Sequence, residues 1–145
     1  MDTTRIRPIA ICLFRNGNRI LVSEGFDTIK QDCYYRPLGG GIEYGESSRD
    51  AVLREIKEEL GVEVENLRLI GVLENIFIYE GQQGHEIVFV FDAEFTDKSF
   101  YELDEIDGYE QKANVRFKTK WYSLDEIEKG SGRLVPEDLA KLLLP

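Results

Sequence analysis

Three carboxylates, Glu55, Glu58 and Glu59, stand at i, i+3 and i+4 in a segment whose apolar residues recur with a helical period. On an α-helix those spacings bring side chains together, and like charges so placed repel. The opposite arrangement costs less, so the concentration itself asks for a counter-charge. Oxygen-only ligands select Mg²⁺ or Mn²⁺ over zinc, whose sites usually include His or Cys. A hard cation held in this way points to phosphate chemistry. A bare E-x-x-E-E reads first as a solvated acidic face, but here Gly39-Gly40-Gly41, Glu46 and Arg54 all stand in register with it. Arg54 can orient a neighbouring carboxylate through paired hydrogen bonds; an ordinary helix salt bridge is the plainer use. Glu46, at the expected helix start, suits either capping of backbone N–H groups or contact with a metal-bound water. The glycines permit a tight turn that brings a backbone carbonyl to a metal.

These groups need a helix to carry them and a sheet to hold the helix. At about 100° per residue, Val52, Leu53, Ile56 and Leu60 fall on one side and the carboxylates on the side next to it, beside Ala51. The helix is expected over residues 46–60, with Gly61 as its stop. Before it, residues 6–14 form an apolar run suited to a strand buried on both faces, and Asn16-Gly17-Asn18 is a hairpin turn. Residues 19–24 are the returning strand, and residues 32–38 deliver the chain to the glycines. After the helix, residues 67–79 and 86–95 read as paired strands joined by the polar turn Gly81-Gln82-Gln83-Gly84. Residues 96–111 read as an acid-rich loop, 118–122 as a short strand, and 124–129 and 136–144 as short helices, the last with Pro136 in its first turn. Strands outnumber helices and most neighbours look antiparallel or mixed. The expectation is a single α/β domain over residues 1–145, with a mixed sheet between helices.

Residues 40–62 read G-G-I-E-Y-G-E-S-S-R-D-A-V-L-R-E-I-K-E-E-L-G-V. They match every fixed position of G-x5-E-x7-R-E-U-x-E-E-x-G-U, with U aliphatic, so the chain resembles the Nudix hydrolases. The resemblance implies an α-β-α sandwich. It also implies metal-dependent hydrolysis of the pyrophosphate bond in a nucleoside diphosphate linked to another moiety. Nucleotide sugars, ADP-ribose, dinucleoside polyphosphates and nucleoside triphosphates are such substrates. Carried over residue by residue, Glu55, Glu58 and Glu59 hold Mg²⁺ or Mn²⁺ with the Gly39 carbonyl, and Arg54, Glu55 and Glu58 form the catalytic group. The general base stays open between Glu58, which is preferred, Glu55, and Glu102 or Glu105 on the acidic loop. One position departs from the pattern. Many members place proline directly before Gly-Gly, whereas here Leu38 separates Pro37 from Gly39. The alternative function is a Nudix-like nucleotide sensor without turnover, against which the intact carboxylate set argues.

Outside this stretch the signals are thinner. Arg36 is a candidate phosphate contact or a surface strand arginine. Phe77 and Tyr79 suit stacking on a base or cross-strand packing, and His85, the only histidine, suits a structural hydrogen bond or a substrate contact. A formal charge of −10 excludes broad nucleic-acid binding. It leaves room for a small anionic nucleotide, because divalent metals reverse the local potential. The apolar run at residues 9–14 is too short for a membrane span. Cys12 and Cys33 lack metal-ligand spacing and read as reduced thiols. A cytoplasmic monomer or homodimer is expected.

Overall fold

The computed structural model describes residues 5–143. Nine strands and three helices follow in the order β1 (Ile6–Asn16), β2 (Arg19–Asp27), β3 (Asp32–Arg36), β4 (Leu38–Gly41), α1 (Ser48–Leu60), β5 (Val64–Tyr79), β6 (Gln82–Phe95), β7 (Glu105–Glu110), β8 (Val115–Ser123), α2 (Leu124–Lys129), β9 (Arg133–Leu134) and α3 (Leu139–Leu143) among the described residues. They form one curled, mixed sheet. Its first half runs β5-β6-β1-β4, with β1 and β6 parallel. Its second half runs β7-β8-β2-β3-β9. The two halves join where β1 turns into β2 at Asn16 and Arg19.

The continuous apolar run of β1 is explained by helices on both sides of it. Ala10, Cys12 and Phe14 point to the core shared with Ala51, Val52 and Ile56 of α1. Ile9, Ile11 and Leu13 point the other way, to Ile127 of α2 and Leu139 of α3. Phe14 and Phe95 stack at 4.1 Å between ring centres and hold the first core closed.

Several expected boundaries move for local reasons. Strand 32–38 breaks at Pro37, which has no N–H to offer a ladder. Leu38 then drops into the core, and the glycines run on as β4, antiparallel to β1, with Gly39 opposite Ile11 and Gly41 opposite Ile9. The glycine stretch is therefore strand before it is turn. Helix α1 begins at Ser48 rather than at Glu46, because Ser47 is the cap: its hydroxyl accepts the Asp50 N–H at 3.1 Å. At the other end the Gly61 N–H closes on the Lys57 carbonyl. The expected loop at 96–111 instead holds a single 3-10 turn, Lys98–Glu102, and strand β7. The C-terminal helix starts later than Pro136, and the part expected at residue 144 lies outside the described residues. Both cysteines are free thiols. Among the described residues no helix is long and apolar enough to cross a membrane.

Candidate active site

Helix α1 packs on β1, β4 and β7, so its inner face meets the glycine strand on one side and the β7–β8 hairpin on the other. Glu55 and Glu59 lie on that inner face and are both buried, at 7% exposure. They stack one turn apart, as i,i+4 residues do. The third acid that meets them is Glu110, from the end of β7: one oxygen from each of Glu55, Glu59 and Glu110 falls within 4.8 Å of the others. Glu58 is not part of this trio. Three residues on from Glu55 it is turned toward solvent, and its carboxylate is drawn to Arg54 Nη1 at 3.3 Å.

Period-two geometry explains both the arrival of Glu110 and the absence of Glu105. Along β7, Ile106 and Gly108 are buried under α1, and Glu110 continues that side. Glu105 and Asp107 face away, where Lys118 binds both, at 3.1 Å each, and Lys120 adds a contact to Glu105. Glu105 is thus removed from the trio by both the opposite face and the length of the strand. Glu102 ends the 3-10 turn and lines a different cavity, with Asn16, Arg19 and Trp121. The structure places the two loop candidates, Glu102 and Glu105, outside the trio and brings Glu110 into it. The alternation Ile106-Asp107-Gly108-Tyr109-Glu110 carried the signal, once the segment is read as a strand.

Arg54 binds the glycine segment, the loop and the helix into one unit. Its Nε and Nη2 hold Glu46 in a two-point pair at 2.7 and 2.9 Å. Nη2 also donates to the Gly41 carbonyl at 3.0 Å, and Nη1 to Glu55 at 2.9 Å. Glu46 accepts the Glu43 N–H as well, at 3.1 Å, so it braces the loop before the helix and is not the helix cap. The Arg54 bond, then the backbone N–H, hold its carboxyl down at about 2, and the bonds to Glu46 and then Glu55 raise the guanidinium above its ordinary value.

Glu59 is shifted the opposite way. Burial first, then the hydrogen bond to Glu55 and that residue's charge, raise its carboxyl well above the usual range; Glu110 adds to the rise and Arg36 opposes it. A buried carboxyl pair sharing a proton is a place where a divalent cation can replace that proton. The surroundings fit such an ion. The donors are hard oxygens only, and no Cβ intrudes: one at Gly40 would lie 2.5 Å from the Glu55 carboxyl carbon. Gly39 has φ 150°, and a Cβ there would strike the Ala10 carbonyl oxygen, so only glycine fits this turn of the strand.

Two hollows lie near the glycine strand, and Glu59 and Glu110 line the smaller one. One, of about 240 Å³, is lined by Gly39, Glu59, Glu110, Ser23 and Phe117. The other, of about 390 Å³, lies on the sheet face that points away from α1, over Ile9 and Ile11, with Asn75, Phe77 and Tyr79 among its walls. Tyr34, Arg36 and Pro37 line both. Arg36 therefore lines both hollows, Phe77 and Tyr79 line the sheet-face cavity alone, and His85 lines neither.

A family model for the NUDIX domain matches residues 4–143, and the chain belongs to that family. Among curated proteins it is similar to the NAD-capped RNA hydrolase NudC of Pseudomonas aeruginosa, 31% identical over 85% of this chain and 38% of the relative. It is also similar to the mitochondrial NAD(P)H pyrophosphatase NUDT13 of Mus musculus, 29% identical over 97% of this chain and 38% of the relative. The chain thus spans well under half the length of these curated relatives. Among solved structures, the MutT NUDIX hydrolase of Burkholderia pseudomallei shares the fold with a TM-score of 0.60 at 23% identity, over 84% of this chain and 86% of that one.

Proposed function

We propose that the protein hydrolyses the pyrophosphate bond of a nucleoside diphosphate linked to a second moiety, using Mg²⁺ or Mn²⁺. The observation that carries this reading is the meeting of Glu55, Glu59 and Glu110 within 4.8 Å beside the glycine strand. Glu55, Glu59 and Glu110 would hold the metal with the Gly39 carbonyl, and Glu58 would join them from the rim. When bound, the cation supplies charge for the phosphoryl oxygens and lowers the pKa of a coordinated water. Arg54 fixes Glu55 and Glu58 in orientation through its Nη1. Glu58, the partly exposed member, is assigned the proton acceptor; its second oxygen is free of Arg54. Arg36, at the meeting of the two hollows, contacts a substrate phosphate.

Dinucleotides come first among the substrates in this reading, which similarity to relatives named for NAD(P)H and NAD-capped RNA supports. The sheet-face cavity, with Tyr34, Phe77 and Tyr79 set among charged side chains that include Arg7, Lys30, Arg36 and Arg133, is of a size that accepts a ring and its sugar. The test is a panel of NADH, ADP-ribose, nucleotide sugars, dinucleoside polyphosphates and nucleoside triphosphates, each with Mg²⁺ or Mn²⁺ and a phosphatase-coupled phosphate readout. Turnover of at least one dinucleotide is expected. Tight binding without turnover of any member would favour a nucleotide sensor instead.

A further inference from the structure

Tyr34 occupies a position no other aromatic residue shares, as a wall of both the carboxylate-lined hollow and the sheet-face cavity. Its strand pairs with β2 so that Tyr34 lies opposite Gly25. The Tyr34 ring fills the space over that glycine, where a Cβ would collide with it. On its other flank the ring meets Tyr79 edge-on, with centres 5.7 Å apart and planes at 88°. The ring is therefore held between two neighbours and stands as a partition. Burial, then the hydrogen bond to Tyr79, push its hydroxyl up to about 12, so it keeps its proton.

The two compartments differ in chemistry. One is of about 240 Å³ and faces Glu59, Glu110 and Gly39. The other is of about 390 Å³ and offers Phe77, Asn75 and the Ile9 and Ile11 side chains of β1, with Arg7, Lys30 and Arg133 as cations among its walls. A ligand that fills both must pass the three residues they share. Pro37 offers no donor there, which leaves the Tyr34 hydroxyl and the Arg36 guanidinium to meet its middle.

We propose that Tyr34 is a positioning residue for two-part ligands, forming the neck that aligns a ring-bearing end in the sheet-face cavity with a phosphate end at the carboxylates. The identity of the phosphate end rests on the hydrolase reading above; the two-compartment geometry does not. A ligand confined to the carboxylate side, such as inorganic pyrophosphate, meets the neck from one side only. A nucleoside monophosphate, with ring, sugar and phosphate, gains from all of it.

Calorimetric titration of the Mg²⁺-containing protein with AMP and, separately, with inorganic pyrophosphate tests this. Tyr34→Ala is expected to weaken AMP about tenfold, in line with the loss of one aromatic wall and one hydrogen bond, and to leave pyrophosphate within about twofold. Retained pyrophosphate binding also shows that the variant is folded. Tyr34→Phe should fall between wild type and Tyr34→Ala for AMP. Gly25→Ala, which must push the ring aside, should repeat the selective loss. Equal weakening of both probes, an unchanged AMP affinity in Tyr34→Ala, or a wild-type protein that does not bind AMP would each overturn the proposal. Selective AMP loss in a protein that turns over no substrate would remove the hydrolase reading and leave this one standing.

Discussion

Glu46 and Glu59 are the same residue type on either side of Arg54, and the structure drives them in opposite directions. Glu46 takes two of the guanidinium's bonds and a backbone N–H, and its carboxyl is held at about 2. Glu59 receives none of them. It is buried against Glu55, and its carboxyl is raised. Arg54 spends the rest of its bonds on Gly41, Glu55 and Glu58. The contrast separates Glu46, clamped by the guanidinium, from Glu59, whose cluster touches that guanidinium only through Glu55. Arg36 is the cation that opposes the rise at Glu59, and the rise persists. The difference teaches that sequence proximity to an arginine does not decide a glutamate's role; the allocation of that arginine's few hydrogen bonds does.

The comparison is broken most severely by Glu59→Gln. Turnover should fall by orders of magnitude, because the amide removes the charge a divalent cation needs. The metal-free protein, in contrast, should gain stability at alkaline pH. A carboxyl whose value is raised by folding binds its proton more tightly when folded. The folded state therefore carries more protons between the unfolded and folded values, and stability falls as pH rises through that window. Thermal unfolding in EDTA should show wild type losing stability from mildly acidic to alkaline pH, with Mg²⁺ restoring it. Glu59→Gln should show a flatter profile. A wild-type profile that does not fall, or the same fall in the variant, would remove the assignment of Glu59.

Arg54→Lys breaks the other arm. A point-charge ammonium cannot reproduce the two-point hold on Glu46, and turnover should drop about 10–100-fold, as for the loss of a group that orients metal ligands. The pH signature is opposite in sign to that of Glu59. A carboxyl lowered by folding contributes stability above its unfolded value and loses it as pH falls toward its folded value. Wild type should thus exceed Arg54→Lys in melting temperature at neutral pH, with the gap closing near about pH 2. A gap that is constant with pH would mean that Glu46 is not the partner that matters.

The smallest effects sharpen the boundary of the cluster. Glu110→Gln should cost about tenfold or more in metal affinity, while Glu102→Gln and Glu105→Gln should leave turnover within about twofold. Mn²⁺ titration and steady-state rates on the three variants would decide. A large loss in Glu105→Gln alone would return the role to the side of β7 that faces the lysines.

Much of this molecule was legible from residue order. The helical spacing of Glu55, Glu58 and Glu59, the Gly61 stop and the two-sided burial of β1 are local patterns, and local patterns survive without knowledge of the fold. The boundaries at Pro37 and Ser47 were also present as chemistry, a missing N–H and a capping hydroxyl, although the helix start was set at the acid and not at the serine. The 96–111 segment was misread because its acids suggested solvent. Asp97, Glu102, Asp104, Glu105 and Asp107 do face solvent, the last two on the outer side of β7, while the strand period carries Glu110 inward.

The sequence by itself determined the acidic cluster of Glu55, Glu58 and Glu59, the helix that presents it and the arginine beside it, because covalent spacing and helical pitch fix those relations within one element. Only the tertiary structure decided that Glu110 and not Glu58 completes the inner trio. Only it decided that Glu46 is saturated while Glu59 is strained, and that Tyr34 stands between two hollows. Glu110 and Tyr34 depend on distances between elements far apart in the chain, and Glu46 and Glu59 on burial and on a shared set of hydrogen bonds that no residue can allocate alone.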